Sequence, residues 1–205
     1  MKSMKKLILF SLSSVLLISC SNSTKQVTAN DLVGEWSCKT EYKDVRVGTV
    51  DLLTLNVDGS MRNENYIFDH HIRSILLDQP IEDYFSSPFK YLQTNIGKWS
   101  LDNNQLTYNL KPVSVKRIIF PSIWKGIQEL DLIKEKEAEL FNIYSSSEDK
   151  DKPLKLEFKR FIKNGFIVTQ KLSNRSYDSI CTSKQAAKYE FNERLEVYKQ
   201  IHNIK

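Results

Sequence analysis

The sequence predicts a mainly β domain, antiparallel strands with a few peripheral helices, closed as an up-and-down barrel. Three observations carry this. Apolar residues recur at every second position over several stretches, and turn residues that tolerate positive φ separate them at hairpin spacing. No Pro- or Gly-rich linker divides the 175 residues from 31 to 205, so one domain with one core is expected there. Strands of similar length joined by hairpins favour closure, because closing the sheet removes unpaired edges.

The first strand is read from "DLVGEWSCKTEYK", where Trp36, Cys38, Thr40 and Tyr42 alternate with Glu35, Ser37, Lys39 and Glu41. "VRVGTVDLLTLNV" follows, with Leu53, Leu55 and Val57 expected on one side; Asp58-Gly59 then turns the chain back into "SMRNENYIF". A second hairpin joins "IGKWSL" to "LTYNL" through "DNNQ", with Trp99, Leu101, Leu106, Tyr108 and Leu110 offering one apolar face. A third joins "LKLEFKRFI" to "FIVTQKL" through Lys163-Asn164-Gly165, and "SYDSICT" adds a strand that carries Cys181.

Two stretches leave this pattern. Residues 69 to 94 contain Pro80 and Pro88 and read as an insertion with one or two short helical turns. Residues 121 to 138 open with Pro121, which suits a first helical turn, and place Ile123, Ile127, Leu130 and Ile133 at helical spacing. A change from helix to strand, if there is one, falls near Leu140 in "ELFNIYS". From Ser183 onward, Ala187, Phe191, Leu195 and Tyr198 share one stripe and Glu190 pairs with Arg194, as in an amphipathic helix laid on the sheet.

The N-terminus, "KKLILFSLSSVLLISCSNS", combines a basic start at Lys2, Lys5 and Lys6 with an apolar run from Leu7 to Ile18 too short to span a bilayer. Leu17-Ile18-Ser19-Cys20 resembles the bacterial lipobox. That resemblance implies removal of residues 1–19 as a lipoprotein signal peptide and lipidation of Cys20, on its thiol, with fatty acyl chains such as palmitate; two or three chains together make a durable anchor. Ser21 in place of an aspartate resembles the pattern of lipoproteins sent to the outer membrane. Residues 20–30 are then the lipidated cysteine and a polar, flexible tether, spanning about 15–20 Å.

The charge balance changes with the signal. The whole chain has 30 basic and 25 acidic residues, but three lysines and no acids lie in residues 1–20, leaving 27 against 25. Such a near-neutral chain, without a patch of interleaved arginine and aromatic residues, gives no footprint for nucleic acid. With Cys20 acylated, Cys38 and Cys181 remain, 143 residues apart. In an oxidising envelope this pair points to a disulfide; the alternative is two buried thiols.

"LVGEW", Leu32 to Trp36, resembles the Gly-x-Trp opening of lipocalins, and "GKWSLDNNQLTYNL" is similar to the mid-barrel hairpin of small lipocalin-like lipoproteins. The resemblance implies a barrel of about eight strands with a helix outside and a cup open at one end. Trp36 would plug the closed end, and Gly34 would let the chain enter its strand closely. The insertion would act as a lid or fill the interior.

Asp69-His70-His71 is the one histidine cluster. Neighbours on a strand point to opposite faces, so at most Asp69 and His71 share a site, too few ligands for zinc. Nucleophile elbows, zinc-protease helices, phosphate loops and dinucleotide fingerprints are missing from the sequence. Acidic neighbours such as Glu82 and Asp83 read as solvated loop residues. The expectation is a non-catalytic protein without cofactor or metal. Tyr66, Phe68, Tyr84, Phe85, Phe89 and Tyr91 are candidates to grip an apolar ligand at a barrel mouth, or else to close the core. The expected function is a membrane-anchored envelope lipoprotein binding a small apolar ligand or lipid; the alternative is a periplasmic protein-binding module, either a toxin-neutralising inhibitor or an accessory of envelope assembly.

Overall fold

The structure, a computed structural model, describes residues 26–72, 80–146 and 153–188. The lipobox, Cys20 and most of the tether lie outside these residues, as does the C-terminal stripe beyond Ala187, including Glu190 and Arg194.

Eight antiparallel strands close a barrel in chain order: β1 (Gly34–Tyr42), β2 (Val47–Leu55), β3 (Ser60–Asp69), β4 (Phe89–Asp102), β5 (Gln105–Arg117), β6 (Leu154–Ile162), β7 (Gly165–Leu172) and β8 (Arg175–Ser183). The predicted turns form the tight hairpins. Asp58 Oδ1 accepts the Ser60 N–H at 2.9 Å in the β2–β3 turn. Asn103 and Asn104 take φ of 47° and 65° between β4 and β5, and Asn164 takes 63° between β6 and β7. These left-handed values match the twist of a two-residue hairpin, and asparagine tolerates them better than other residues with a side chain. The last strand returns to the first, with Cys38 directly opposite Cys181 in the β1–β8 register. The two are bonded as a disulfide, Cα atoms 3.9 Å apart. Closure therefore has a covalent stitch.

Among the described residues three complete helices accompany the barrel: α1 (Ala29–Leu32), α2 (Pro121–Glu129) and α3 (Asp131–Ser145), the latter two lying between β5 and β6 in the chain. α1 precedes β1 and lies under one end. There Trp36 Nε1 donates to the Leu32 carbonyl at 2.8 Å, and Trp36 meets Phe166 edge-to-face at 4.8 Å. Gly34 opens β1 at φ 142°, a conformation that disfavours any side chain. Leu32, Leu55, Leu106 and Phe166 are buried around this plug, which closes one end of the barrel.

The other end is covered by α2 and α3. Ile127 and Ile133 pack with Val47, Ile67, Phe89 and Tyr91 in a second apolar cluster. Inside it, Glu137 is almost wholly buried and accepts from Arg117 Nε at 2.8 Å and from the Tyr91 hydroxyl at 3.3 Å. The Arg117 guanidinium lies 3.5 Å from the Phe141 ring centroid. A buried carboxylate thus has a charged partner, a condition for tolerating it at all. β5 pairs with β6 over four positions only, Gln105–Tyr108 against Leu154–Glu157, whereas β4 pairs with β5 from Tyr91 to Asp102. The helices lie over the stretch that this short ladder leaves uncovered.

Several expectations need correction. Val57 does not join Leu53 and Leu55 inside: β2 ends at Leu55, and Val57 projects from the turn, 81% exposed. Leu130 does not share the buried stripe of Ile127 and Ile133, because the chain breaks there between α2 and α3 and turns that side chain to solvent. "ELFNIYS" stays helical through Ser145. The insertion is shorter than residues 69 to 94, since β3 runs to Asp69 and β4 starts at Phe89.

Candidate functional site

The mouth is assembled from the ends of β1, β2 and β3 and from α3. A single 3-10 turn, Lys43–Val45, followed by Arg46 at φ 51°, reverses β1 into β2. The Arg46 carbonyl accepts the His70 N–H at 3.1 Å, tying this turn to the chain that leaves β3. Asp69 ends β3 facing inward and is fully buried. Its Oδ1 accepts from the His71 N–H at 2.8 Å and from His71 Nδ1 at 3.1 Å, and its Oδ2 accepts from the Tyr144 hydroxyl of α3. The Asp69 hydrogen bond pushes the His71 pKa up, and burial beside Asp69 pushes Tyr144 up as well. The pair Asp69 and His71, foreseen as sharing one side, meets here with the carboxylate already occupied. Among the described residues no group of three His, Cys, Asp or Glu is arranged to hold a metal.

Beside this knot runs a groove of about 610 Å³ between α3 and the barrel rim. Val45, Val47, Ile72, Leu140 and Ile143 make its apolar wall, and Arg46, Lys136, Glu139 and His71 stand at its edges. A second hollow, of about 720 Å³, lies along the outer face of β1 and β8 and is mixed in character, with Lys39, Lys43, Glu41, Asp44 and Asp178 on its walls.

The six aromatic candidates divide between two places. Phe89 and Tyr91 face inward and are buried in the cluster under α2 and α3. Tyr66 and Phe68 sit on the outward positions of β3, where Phe68 meets Phe85 edge-to-face at 5.9 Å and Lys90 lies 5.5 Å from the Phe68 ring. Tyr84 packs on the outer wall beside His70, close enough to Gly48 that a Cβ there would come 2.4 Å from the Tyr84 carbonyl oxygen. The strand period explains the division: positions 66 and 68 have the parity opposite to the inward Ile67 and Asp69.

Between the two apolar ends the barrel waist is polar. Thr40, Asp51, Asn63, Gln170 and Ser179 turn inward beside Tyr42 and Tyr108, around a cavity of about 40 Å³. That is room for a few water molecules and far below the roughly 300 Å³ of a small-molecule pocket; among the described residues the waist is filled by its own side chains, in place of the open cup the resemblance implies. The Tyr42 hydroxyl donates to Gln170 Oε1 at 2.8 Å, and Thr40 and Ser179 share a hydrogen bond of 2.6 Å. Asp51 accepts from Asn63 Nδ2 at 3.0 Å and Thr49 Oγ1 at 3.5 Å. Asp51 lines the cavity and is half-buried; desolvation there lifts its pKa to about 6. No ligand role was foreseen for these residues. The signal was present, since Asp51 shares the parity of Leu53 and Leu55, and Asn63 that of Met61.

No protein-family model matches the chain, and no curated protein matches it in sequence.

Proposed function

We propose that this chain is a lipid-anchored, non-catalytic binding protein of the bacterial envelope, held at the outer membrane through Cys20, whose mouth groove takes the acyl chain of a small lipid-like ligand. The observation that carries the ligand reading is the groove of about 610 Å³ with an almost wholly apolar wall between α3 and the rim. Its size is that of small-molecule sites, and the filled waist leaves the groove as the better place for an apolar chain. Arg46 and Lys136 at its edge suit an anionic head group. The lipobox-like Leu17-Ile18-Ser19-Cys20 supports the anchor.

Titration with a fluorescent fatty acid tests the groove. Ile143 is more than half exposed, so Ile143→Glu leaves the fold intact while placing a charge against the chain. The expected result is at least a tenfold loss of affinity, about 1.4 kcal/mol, and equal or absent binding in both proteins rejects the reading. The anchor is tested apart from it: Cys20→Ala is expected to move the protein from the membrane fraction to the soluble fraction, and a variant still on the membrane defeats the lipobox assignment.

A second reading, a protein-binding module that neutralises a toxin or assists envelope assembly, is favoured by exposed Ile118, Phe120, Leu130 and Leu132 around α2 and α3. Loss of a co-purifying partner on Phe120→Ser, with fatty-acid binding unchanged, would select it.

A further inference from the structure

We propose that the waist of the barrel is a binding site for a small monovalent cation, held by the Asp51 carboxylate with the side-chain oxygens of Asn63 and Tyr108. Asp51 stands opposite Cys38 on β1 and Asn65 on β3. Its partners among the described residues are one amide and one hydroxyl, and no ion pair reaches it. A buried carboxylate without a counter-charge is costly.

Its surroundings add acceptors. Asn63 Oδ1, Asn65 Oδ1 and the Tyr108 hydroxyl are buried with no hydrogen-bond partner among the described residues. Asn63 is 5% exposed and Tyr108 3%, and both line the cavity with Asp51. Buried oxygens of this kind in a native barrel require something that satisfies them. Water supplies two protons but leaves the charge unbalanced; a small cation answers both needs.

Size and donor set narrow the class. A cavity of about 40 Å³ admits an ion of water-like dimensions, such as sodium, potassium or ammonium, and no organic amine of useful length. Divalent calcium takes six to eight oxygens, several of them carboxylate. Here one carboxylate is joined by neutral amide and hydroxyl oxygens, and one negative charge matches one positive charge.

The test compares thermal melts of the mature, detergent-solubilised protein in sodium, potassium, ammonium and choline chloride at equal ionic strength. Choline is too large for the cavity and serves as the reference. At least one small cation is expected to raise Tm over choline by roughly 3–6 °C when present at ten times its dissociation constant. Asp51→Asn should abolish the difference, and the exposed Asp102→Asn should keep it. Crystals soaked in rubidium chloride supply a second reading that needs no variant: an anomalous peak beside Asp51 is expected. Identical melts in all four salts, or a rubidium soak that shows water alone at the waist, overturns the proposal.

Discussion

Removing the Cys38–Cys181 bond lowers stability by about 2–5 kcal/mol, the usual cost for a native disulfide in a domain of this kind. The bond closes a loop of 143 residues, long enough that the chain-entropy model places it near the top of that range, at about 5 kcal/mol. For a chain of this size the loss is worth roughly 4–20 °C in Tm. The double variant Cys38→Ala, Cys181→Ala is the cleaner form, since both positions are buried among apolar side chains and alanine leaves no unsatisfied polar group. Melting with and without reductant gives the measurement. An unchanged transition in the wild type, with two thiols titrating in the unfolded state, would sink it.

Stability should also rise as the pH falls from 8 to about 4.5. Asp51 has its pKa lifted by burial to about 6, above the roughly 3.9 of an unfolded aspartate. As the pH falls through 6 the folded state takes up a proton first, so folding gains down to about 3.9 and the gain approaches about 3 kcal/mol. His71 acts with the same sign. Its hydrogen bond to Asp69 raises its folded pKa, so its contribution is complete below the unfolded value of about 6.5 and is lost as the pH climbs through the folded one. Asp44, Asp58 and Glu157 oppose the trend, since hydrogen bonds lower their pKa values. Their contribution is present above the ordinary carboxyl range and begins to be lost as the pH falls below about 5, where unfolded carboxyls start to protonate, so they blunt the rise only at its acid end. Melts in choline buffers keep small cations out of the comparison. Asp51→Asn is expected to remove the slope between pH 6 and 4.5 while leaving the part above it, and a variant with the full wild-type slope would show that Asp51 is not its source.

How far the sequence reached follows from what each signal encodes. The turns at Asp58-Gly59, Asn103-Asn104 and Asn164-Gly165 were legible because positive φ restricts residue choice locally. The pairing of Cys38 with Cys181 was legible because few other assignments suited the two cysteines left once Cys20 is read as part of a lipobox-like motif. Trp36 and Gly34 took the positions that the lipocalin resemblance implied. The polar waist is hidden from apolar alternation, because Asp51, Asn63 and Asn65 hold inward positions with polar side chains that the pattern of Leu53, Leu55 and Met61 does not mark. The mouth groove was beyond reach for a different reason. It joins Val45 and Ile72 to Leu140 and Ile143, residues far apart in the chain whose meeting depends on where α3 lies.

A cylinder riveted along one seam distributes stress unevenly. With β1 and β8 joined covalently and β5 holding β6 by four pairs, widening of the wall concentrates at the thin joint, and α2 and α3 are the straps laid over it. The Arg117–Glu137 ion pair, 2.8 Å from Nε to Oε1, fastens those straps to the wall, since Glu137 belongs to α3 and Arg117 to β5.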